Sequence, residues 1–102
     1  MKGGGDVIVY LAGKISGDPE YRKKFRAAAR RLERSLGAVV LNPGEHPEGM
    51  KPEDYLQLCI SMLGRADAAA FLPDWQQSAG ARLERDYCSY VGKPILDLEE
   101  PR

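Results

Sequence analysis

Val7-Ile8-Val9-Tyr10-Leu11-Ala12 is a continuous apolar run that is rich in β-branched side chains. A run of this kind is typical of a strand covered on both faces, as in a parallel sheet between helices. Gly13 follows directly. Asp18 and Pro19 then predict a helix start, because aspartate is a good cap and proline suits the first helical turn. The sequence therefore predicts a strand, a glycine-containing loop and a helix.

The alternation of strand and helix continues along the chain. The first helix carries apolar residues at three- to four-residue spacing and ends at Gly37. Further strands are predicted at residues 38–42, 68–72 and 95–98, and further helices at residues 52–63 and 78–91. With right-handed crossovers, this order predicts one three-layer α/β/α domain of the Rossmann or flavodoxin-like class. Its parallel sheet is expected to have about four strands in the order 2-1-3-4.

Two details of the helices follow from the same patterns. Gly64 is expected to end the second helix, since glycine commonly follows the last helical residue. The apolar face of the third helix is expected to consist of Leu83, Tyr87, Tyr90 and Val91. Glu84 lies next to this face in the sequence and is therefore expected along the edge of the core.

The composition limits the classes of function. The 102 residues suffice for a single domain, residues 1–102, with residues 1–6 and 99–102 as flexible ends. Fifteen basic and fifteen acidic residues cancel, so the net charge gives no argument for nucleic acid or a membrane as partner. The first residues lack the apolar core of a signal peptide, and no apolar run approaches the ~20 residues of a membrane span. We therefore expect a cytoplasmic protein.

The cysteines and the histidine do not indicate a metal site. Cys59 and Cys88 fall within predicted helices and lack metal-binding or disulfide spacing, so buried thiols are expected. His46 is the only histidine. Without a cluster of such ligands, we expect no metal and no other cofactor.

The predicted strand order places a ligand crevice between the first and third strands. Where the strand order reverses, the carboxyl ends of neighbouring strands flank a binding site. The loops that leave these ends comprise residues 13–17 and 73–78. The candidate site residues in or near these loops are Tyr10, Gly13, Ser16, Asp74, Trp75, Ser78 and Glu84.

The loop Gly13-Lys14-Ile15-Ser16-Gly17 has two interpretations. Its glycines and the Ser16 hydroxyl could surround a phosphate, because glycine permits positive φ and close backbone approach. Alternatively, the glycines serve only the geometry of a strand-to-helix turn. The loop is not a Walker P-loop, and Asp18 and Glu20 bring negative charge to the following helix, so the motif alone favours the turn.

Ser78-Ala79-Gly80-Ala81-Arg82-Leu83-Glu84 opens the third helix. Ser78 is expected to cap the helix and could also donate to a ligand phosphate or hydroxyl, while Gly80 lets a ligand approach the first turn. Glu84 either pairs with Arg82 or Arg85 on a solvated surface or faces the crevice. In the crevice, the helix amino end would favour its ionised form, and the carboxylate could attack a sugar C1′.

Trp75 and Arg82 are accessory candidates with open roles. Trp75, the only tryptophan, either stacks on a base or covers the core or a subunit contact. Arg82 either neutralises a phosphate or pairs with Glu84.

Four motifs occur in an order that resembles the nucleoside 2-deoxyribosyltransferase superfamily: Tyr10-Leu-Ala-Gly13, Arg65-Ala-Asp67-Ala, Ser78–Glu84 and Gly92-Lys-Pro-Ile95. The resemblance covers roughly residues 7 to 98. More narrowly, Leu72-Pro-Asp-Trp75 leading into Ser78–Glu84 resembles a phage and bacterial branch of this superfamily, with similarity to 2′-deoxynucleoside 5′-monophosphate N-hydrolases.

The resemblance implies hydrolysis or transfer at the N-glycosidic bond of a (deoxy)nucleoside 5′-monophosphate. Glu84 matches the family's nucleophile, Tyr10 matches the tyrosine beside it, and Ser78 matches a serine that helps to hold the phosphate. The family's phosphate loop is matched by Gly13, Ser16 and Gly17. The resemblance also implies a homodimer or larger homo-oligomer, because relatives complete their sites across subunits.

One position departs from the family pattern. Active relatives carry an aspartate eight residues before the position of Asp67, where it helps to protonate the leaving base, and this chain has Cys59 there. A thiol is a poor substitute, and general acid assistance typically contributes about 10²- to 10⁴-fold. Asp74 could supply the acid instead, while Asp67 is expected to anchor the strand edge with a minor site role. Two functions stay open: an N-glycosidic-bond enzyme, or a nucleotide-binding module that has lost the acid.

The first helix is strongly basic although the chain as a whole is neutral. Its basic residues are Arg22, Lys23, Lys24, Arg26, Arg30, Arg31 and Arg34. A contact with nucleic acid or an acidic protein is one interpretation. Since no aromatic residue interleaves the basic ones on the outer face of the helix, a solvated outer face is preferred, and nucleic acid is not expected as a partner.

Overall fold

The computed structural model describes residues 6–99, so the expected flexible ends at residues 1–5 and 100–102 lie outside the described residues. Strands and helices alternate along the chain as β1 (Ile8–Ala12), α1 (Tyr21–Leu36), β2 (Val39–Leu41), α2 (Pro52–Arg65), β3 (Ala68–Phe71), α3 (Ala79–Val91) and β4 (Ile95–Asp97). Two short 3-10 turns, Pro43–Glu45 and Trp75–Gln77, follow β2 and β3. The predicted order of elements is therefore confirmed.

The four strands form a parallel sheet in the order β2-β1-β3-β4, as predicted. Strand β1 is hydrogen-bonded on both sides, and Tyr10 in its middle pairs in register with Leu41 of β2 and Ala69 of β3. The chain reverses direction across the sheet between β1 and β3. Open α/β sheets bind ligands at the carboxyl ends of such strands, and we call the region between the two loops that leave these ends the crevice.

Side-chain alternation along the central strands divides the core in two. Val9 and Leu11 pack against α1 on one face of the sheet. Tyr10 and Ala12 pack against α2 and α3 on the other face. Because successive strand residues point to opposite faces, this alternation produces the three-layer arrangement. Tyr10 is the polar member of β1 and lies on the side of α3.

Two predicted helix ends are wrong. Asp18 does not cap α1, which begins at Tyr21. Its carboxylate instead accepts from the backbone N–H of Glu20 at 2.9 Å, within a turn that precedes the helix. Gly64 does not end α2, which continues to Arg65. Its φ is not positive, whereas Gly37 and Gly92 adopt the left-handed conformation that stops a helix.

The predicted apolar face of α3 is confirmed only at Tyr87, which is half-buried and packs against the core, and is wrong at the other three positions. Leu83, Tyr90 and Val91 are 48%, 92% and 49% exposed. The buried residues of α3 are Ala81, Glu84 and Cys88. The fully buried residues of α3 are thus small or polar, and most of its larger apolar residues point outward, which misleads a periodicity argument.

Both cysteines are free and buried, as predicted. Within residues 6–99, no group of three or more histidine, cysteine, aspartate or glutamate side chains is arranged to hold a metal ion. Across the same residues, no helix has the length and apolar character needed to cross a membrane.

Candidate active site

A buried tyrosine and glutamate pair forms the centre of the candidate site. The Tyr10 hydroxyl donates to Glu84 Oε2 at 2.7 Å, joining the middle of β1 to the second turn of α3. Tyr10 is 1% exposed and Glu84 is 6% exposed. Residues that lie 74 positions apart in sequence thus meet through the fold, as the family resemblance requires.

Burial alters the protonation of both groups. Loss of solvent raises the pKa of Glu84 to about 7, although the hydrogen bond from Tyr10 opposes the rise. Burial also raises the pKa of the Tyr10 hydroxyl well above its usual range, and the neighbouring Glu84 carboxylate adds to that rise. The tyrosine therefore stays protonated as the donor. Any stabilisation of the ionised form by the helix amino end is thus outweighed by burial, which is the largest influence on the pKa of Glu84.

The arginine partners considered for Glu84 lie elsewhere. Arg85 binds Asp97 through Nη1 and Nη2 at 2.7 and 3.1 Å. Arg82 is exposed and donates from Nη1 to the backbone carbonyl of Gln76 at 2.8 Å. The solvated ion pair predicted as one alternative for Glu84 is therefore wrong, and the carboxylate faces the interior.

Cys59 of α2 belongs to the same buried cluster as Tyr10. Burial raises the pKa of its thiol to about 11, and its neighbours Tyr10 and Glu84 act in opposite directions on it. A neutral thiol thus lies against the tyrosine. It is a weak proton donor compared with a carboxylic acid.

Ser78 is the N-cap of α3, as predicted. Its Oγ accepts from the backbone N–H of Ala81 at 3.1 Å, which leaves the hydroxyl hydrogen free to donate to a ligand. Gly80 lies in the first turn, where an added Cβ would meet only the Ser78 Oγ, at 3.9 Å. Six residues along a helix correspond to about 9 Å, so Ser78 and Glu84 lie roughly one and a half turns apart along α3.

The loop at residues 13–17 is tied to the opposite loop of the crevice. The backbone N–H of Lys14 donates to Asp74 Oδ1 at 3.0 Å, so this N–H is not available to bind a ligand phosphate. A Cβ at Gly13 would lie 2.7 Å from Leu72 Cδ1, which explains the glycine by close packing. Gly17 has a φ of 81°, the positive value that the turn requires. Ser16 is exposed, and its phosphate-binding role stays a prediction.

Lys24 is a functional candidate that the sequence did not reveal. Its ammonium group donates to Asp18, to Asp74 and, at 2.9 Å, to the backbone carbonyl of Lys14. Partial burial lowers the pKa of Lys24, but the two carboxylates outweigh this effect and leave it raised. These bonds clamp the two crevice loops together. No local motif joins residues so far apart in sequence.

Trp75 contributes to a second cluster, which lies at the carboxyl end of β3. The Arg85 guanidinium lies 4.2 Å from the Trp75 ring centroid and 5.0 Å from that of Phe71. Phe71 and Trp75 meet edge to face, with ring centroids 6.0 Å apart. One face of the indole is therefore occupied by Arg85. Any stacking on a base would use the remaining surface of the ring.

Asp67 lies at the amino ends of the strands, opposite the carboxyl ends where the crevice loops begin. Its Oδ2 accepts from the backbone N–H of Ile8 at 2.8 Å, at the amino ends of β1 and β3. This is the strand-anchoring role expected from the sequence.

Comparisons with known proteins agree with this geometry at the level of fold. A 2-desoxiribosyltransferase from Leishmania mexicana superposes with a TM-score of 0.69 and 20% sequence identity, over 90% of this chain and 63% of that one. A 2-deoxyribosyltransferase from Bacillus psychrosaccharolyticus superposes with a TM-score of 0.65 and 19% identity, over 88% of this chain and 70% of that one. The chain thus spans less than two thirds of the Leishmania protein.

Sequence comparisons give the family. No curated protein matches the chain in sequence. A family model does match, over residues 7–97, from the first strand to the last, and its description is "Domain of unknown function (DUF4406)". This match includes Tyr10, Cys59, Ser78 and Glu84. The chain therefore belongs to the DUF4406 family.

Proposed function

We propose that the protein cleaves the N-glycosidic bond of a (deoxy)nucleoside 5′-monophosphate, with Glu84 as nucleophile and Tyr10 as the group that positions it. The observation that carries this proposal is the buried hydrogen bond between Tyr10 and Glu84, beside the crevice of a 2-deoxyribosyltransferase-like fold. Perturbed carboxyl groups of this kind concentrate at catalytic sites.

The burial of Glu84 suits nucleophilic chemistry. A desolvated carboxylate is a stronger nucleophile than a hydrated one, and a pKa of about 7 leaves a substantial ionised fraction at neutral pH. Tyr10 donates to one carboxylate oxygen, Oε2, which leaves the other oxygen available for attack. The tyrosine also fixes the rotamer of the side chain.

The reaction proceeds in two balanced steps. One Glu84 carboxylate oxygen attacks the sugar C1′, a glycosyl ester forms, and the bond from C1′ to the base nitrogen breaks with its electron pair leaving on the base. The base takes a proton from solvent or from a neighbouring acid. Water then attacks C1′ and loses a proton to solvent while the ester bond from C1′ to Glu84 breaks, which releases the sugar phosphate and regenerates the carboxylate. A second base in place of this water gives transfer.

Ser78 supports the choice of a 5′-phosphate. Its hydroxyl hydrogen is free to donate, and it lies at the amino end of α3, where the helix dipole favours an anion. The open space at Gly80 lets a ligand reach this turn. Together these features support a phosphate position on the same helix as the proposed nucleophile.

A non-catalytic nucleotide-binding module is the second candidate function. It is favoured by Cys59, a neutral thiol with a pKa of about 11 at the position where the family resemblance expects the acid. Asp74 is not an evident replacement, because its carboxylate is bound by Lys24 and by the Lys14 backbone.

Base release from a panel of deoxynucleoside 5′-monophosphates, measured by chromatography, tests the two candidates. Under the enzyme proposal, free base accumulates with the natural protein and not with Glu84→Gln, which preserves the size of the side chain. Nucleotide-dependent thermal stabilisation without base release would favour the binding module. In that case, Cys59→Asp is expected to introduce base release. Failure of every nucleotide to bind would contradict both candidates.

A pair of Ser78 variants tests the phosphate position. Ser78→Asp keeps an N-cap acceptor but adds negative charge, whereas Ser78→Thr keeps both the cap and a hydroxyl. We expect Ser78→Asp to raise KM for monophosphates by at least tenfold while leaving KM for free nucleosides unchanged. Ser78→Thr serves as the matched control. Equal effects on both substrates would place the phosphate elsewhere.

We also propose that the protein forms a homodimer or larger homo-oligomer. The outer side of α3 exposes Leu83, Tyr90 and Val91, a set of large apolar residues that a second copy would cover. Light scattering during size-exclusion chromatography measures the oligomeric state. A monomeric mass that is unchanged by Tyr90→Asp would contradict this proposal.

A further inference from the structure

Four basic residues form one exposed stripe along α1. Lys23, Arg26, Arg30 and Arg34 are all exposed, and their spacing of three or four residues places them on the same side of the helix. We call this set the basic stripe. Eleven residues of α-helix correspond to about 16 Å, so the stripe presents a row of positive charge about 16 Å long.

The basic stripe has no ion pair among residues 6–99, although the chain contains fifteen acidic residues. Other cations of the same helix do have partners. Arg22 binds Glu48 and the backbone carbonyls of Gly44 and His46, while Lys24 binds the crevice loops. Arg22 and Lys24 are thus bound by groups of the same protein, whereas the basic stripe has no carboxylate partner among residues 6–99.

Charge is also separated across the whole molecule. Helix α1 carries seven basic residues and one acidic residue, Glu33, in a chain whose net charge is zero. The remainder is therefore net acidic. A positive surface on a molecule without net charge gives local attraction for a polyanion.

The chemistry of the stripe distinguishes between classes of polyanion. Three of its four members are arginines, whose planar guanidinium groups bind phosphate oxygens bidentately. A membrane surface is disfavoured because the apolar side of α1, with Phe25 and Leu32, is buried in the core and cannot insert into lipid. The basic stripe contains no aromatic residue, which weakens the case for stacking on single-stranded bases. Contacts with the phosphate backbone of a duplex do not need aromatic residues.

We propose that the basic stripe binds the phosphate backbone of duplex DNA without reading its sequence. The major groove of B-form DNA is wide enough to admit an exposed helix face, whereas that of A-form RNA is deep and narrow. This inference is independent of the proposed enzymatic function, because it uses no residue of the Tyr10 and Glu84 site. It revises the expectation that nucleic acid is not a partner.

Fluorescence anisotropy with a labelled 30-base-pair DNA duplex tests the proposal on the full chain. Four phosphate contacts predict a slope of log K against log salt of roughly −3 to −4, so affinity falls on the order of 10²-fold between 50 and 200 mM salt. The double variant Arg26→Gln/Arg30→Gln is expected to weaken binding at 50 mM salt by about tenfold or more and to reduce the slope by about 2.

A matched control removes the same charge elsewhere. Lys51→Gln/Arg65→Gln changes two exposed cations of the α2 region and is expected to leave both affinity and slope nearly unchanged. Thermal unfolding checks that both double variants are folded. Absence of binding at 50 mM salt overturns the proposal. Equal loss of affinity in the control, or tighter binding to an acidic peptide or to anionic vesicles than to the duplex, also overturns it.

Discussion

Two carboxylates, one carried by Glu84 of α3 and one bound by the next residue of that helix, Arg85, behave in opposite ways. Glu84 turns inward, accepts from Tyr10 and has its pKa raised to about 7 by burial. The next residue, Arg85, turns toward the sheet edge and binds Asp97, whose pKa it holds below the usual range. Asp97 is exposed, whereas Glu84 is not.

The difference lies in solvent access and in the charge of the partner. Asp97 has a cation and water, so ionisation is favourable and the pair contributes little to stability. Glu84 has one neutral donor and no cation in contact, so its charge is costly. A carboxylate that the fold keeps in so unfavourable an environment is better explained by chemistry than by stability.

The largest effect is expected on catalysis. Glu84→Gln should reduce base release by on the order of 10³-fold or more, because the amide cannot form the glycosyl ester. Asp97→Asn, which neutralises the exposed carboxylate, should leave the rate nearly unchanged. Initial rates with one monophosphate substrate measure both. Equal losses in the two variants would remove the distinction between the carboxylates.

The next effect concerns the pH dependence of stability. The folded pKa of Glu84, about 7, lies above the ordinary value of 4.5, so the folded state binds this proton more tightly than the unfolded state does. Its contribution is therefore most favourable below pH 4.5 and is lost as the pH rises toward 7, by roughly 3 kcal/mol.

Glu84→Gln removes this titration. We expect the variant to be more stable than the natural protein at pH 8 and to differ much less at pH 4.5. Urea unfolding at the two pH values measures the difference. A natural protein whose stability is no lower at pH 8 than Glu84→Gln would contradict the buried, titrating carboxyl group.

Removal of the tyrosine hydroxyl comes third. Tyr10→Phe leaves a buried carboxyl group without its donor and should destabilise the fold at pH 8 by about 1–3 kcal/mol. Because Tyr10 lowers the pKa of Glu84, the variant should also shift the pH–rate profile upward. Tyr21→Phe, on the half-buried start of α1, is the matched control and should leave that profile unchanged.

The smallest effect is expected at the exposed pair. Asp97→Asn should change stability by less than about 1 kcal/mol, and high salt should reduce the difference further. Arg85→Ala should cost somewhat more, about 1 kcal/mol, because it also removes the contacts with Trp75 and Phe71. Thermal unfolding at two salt concentrations separates the two contributions. A larger loss in Asp97→Asn than in Tyr10→Phe would reverse the ranking.

The fold was predictable where local pattern and topology agree. The apolar run that contains Tyr10 indicates a doubly covered strand, and alternation with helices then restricts the sheet order. The contact between Tyr10 and Glu84 was accessible through family resemblance. The sequence indicated a position for Glu84 only along the edge of the core. Its nearly complete burial was not predictable, because the buried residues of α3 next to it are small, Ala81 and Cys88, and do not form an apolar stripe.

The clamp made by Lys24 was not predictable for a different reason. It joins α1 to Lys14, Asp18 and Asp74, and no spacing rule relates these residues. Likewise, the partner of Arg85 depends on how β4 lies against α3. Such contacts are set by tertiary packing, on which local sequence propensities carry no information.

The central position of β1 has a consequence for kinetics. Tyr10 lies in a strand that is hydrogen-bonded on both sides, so its backbone opens only when the sheet itself unfolds. Because Glu84 is 6% exposed, we expect a ligand to reach it through movements of elements other than β1, which are the crevice loops and the amino-terminal turns of α3. Backbone amides of these turns should exchange with deuterated solvent faster than those of β1. The frequency of such openings then sets an upper limit on the association rate of any ligand that reaches this carboxyl group.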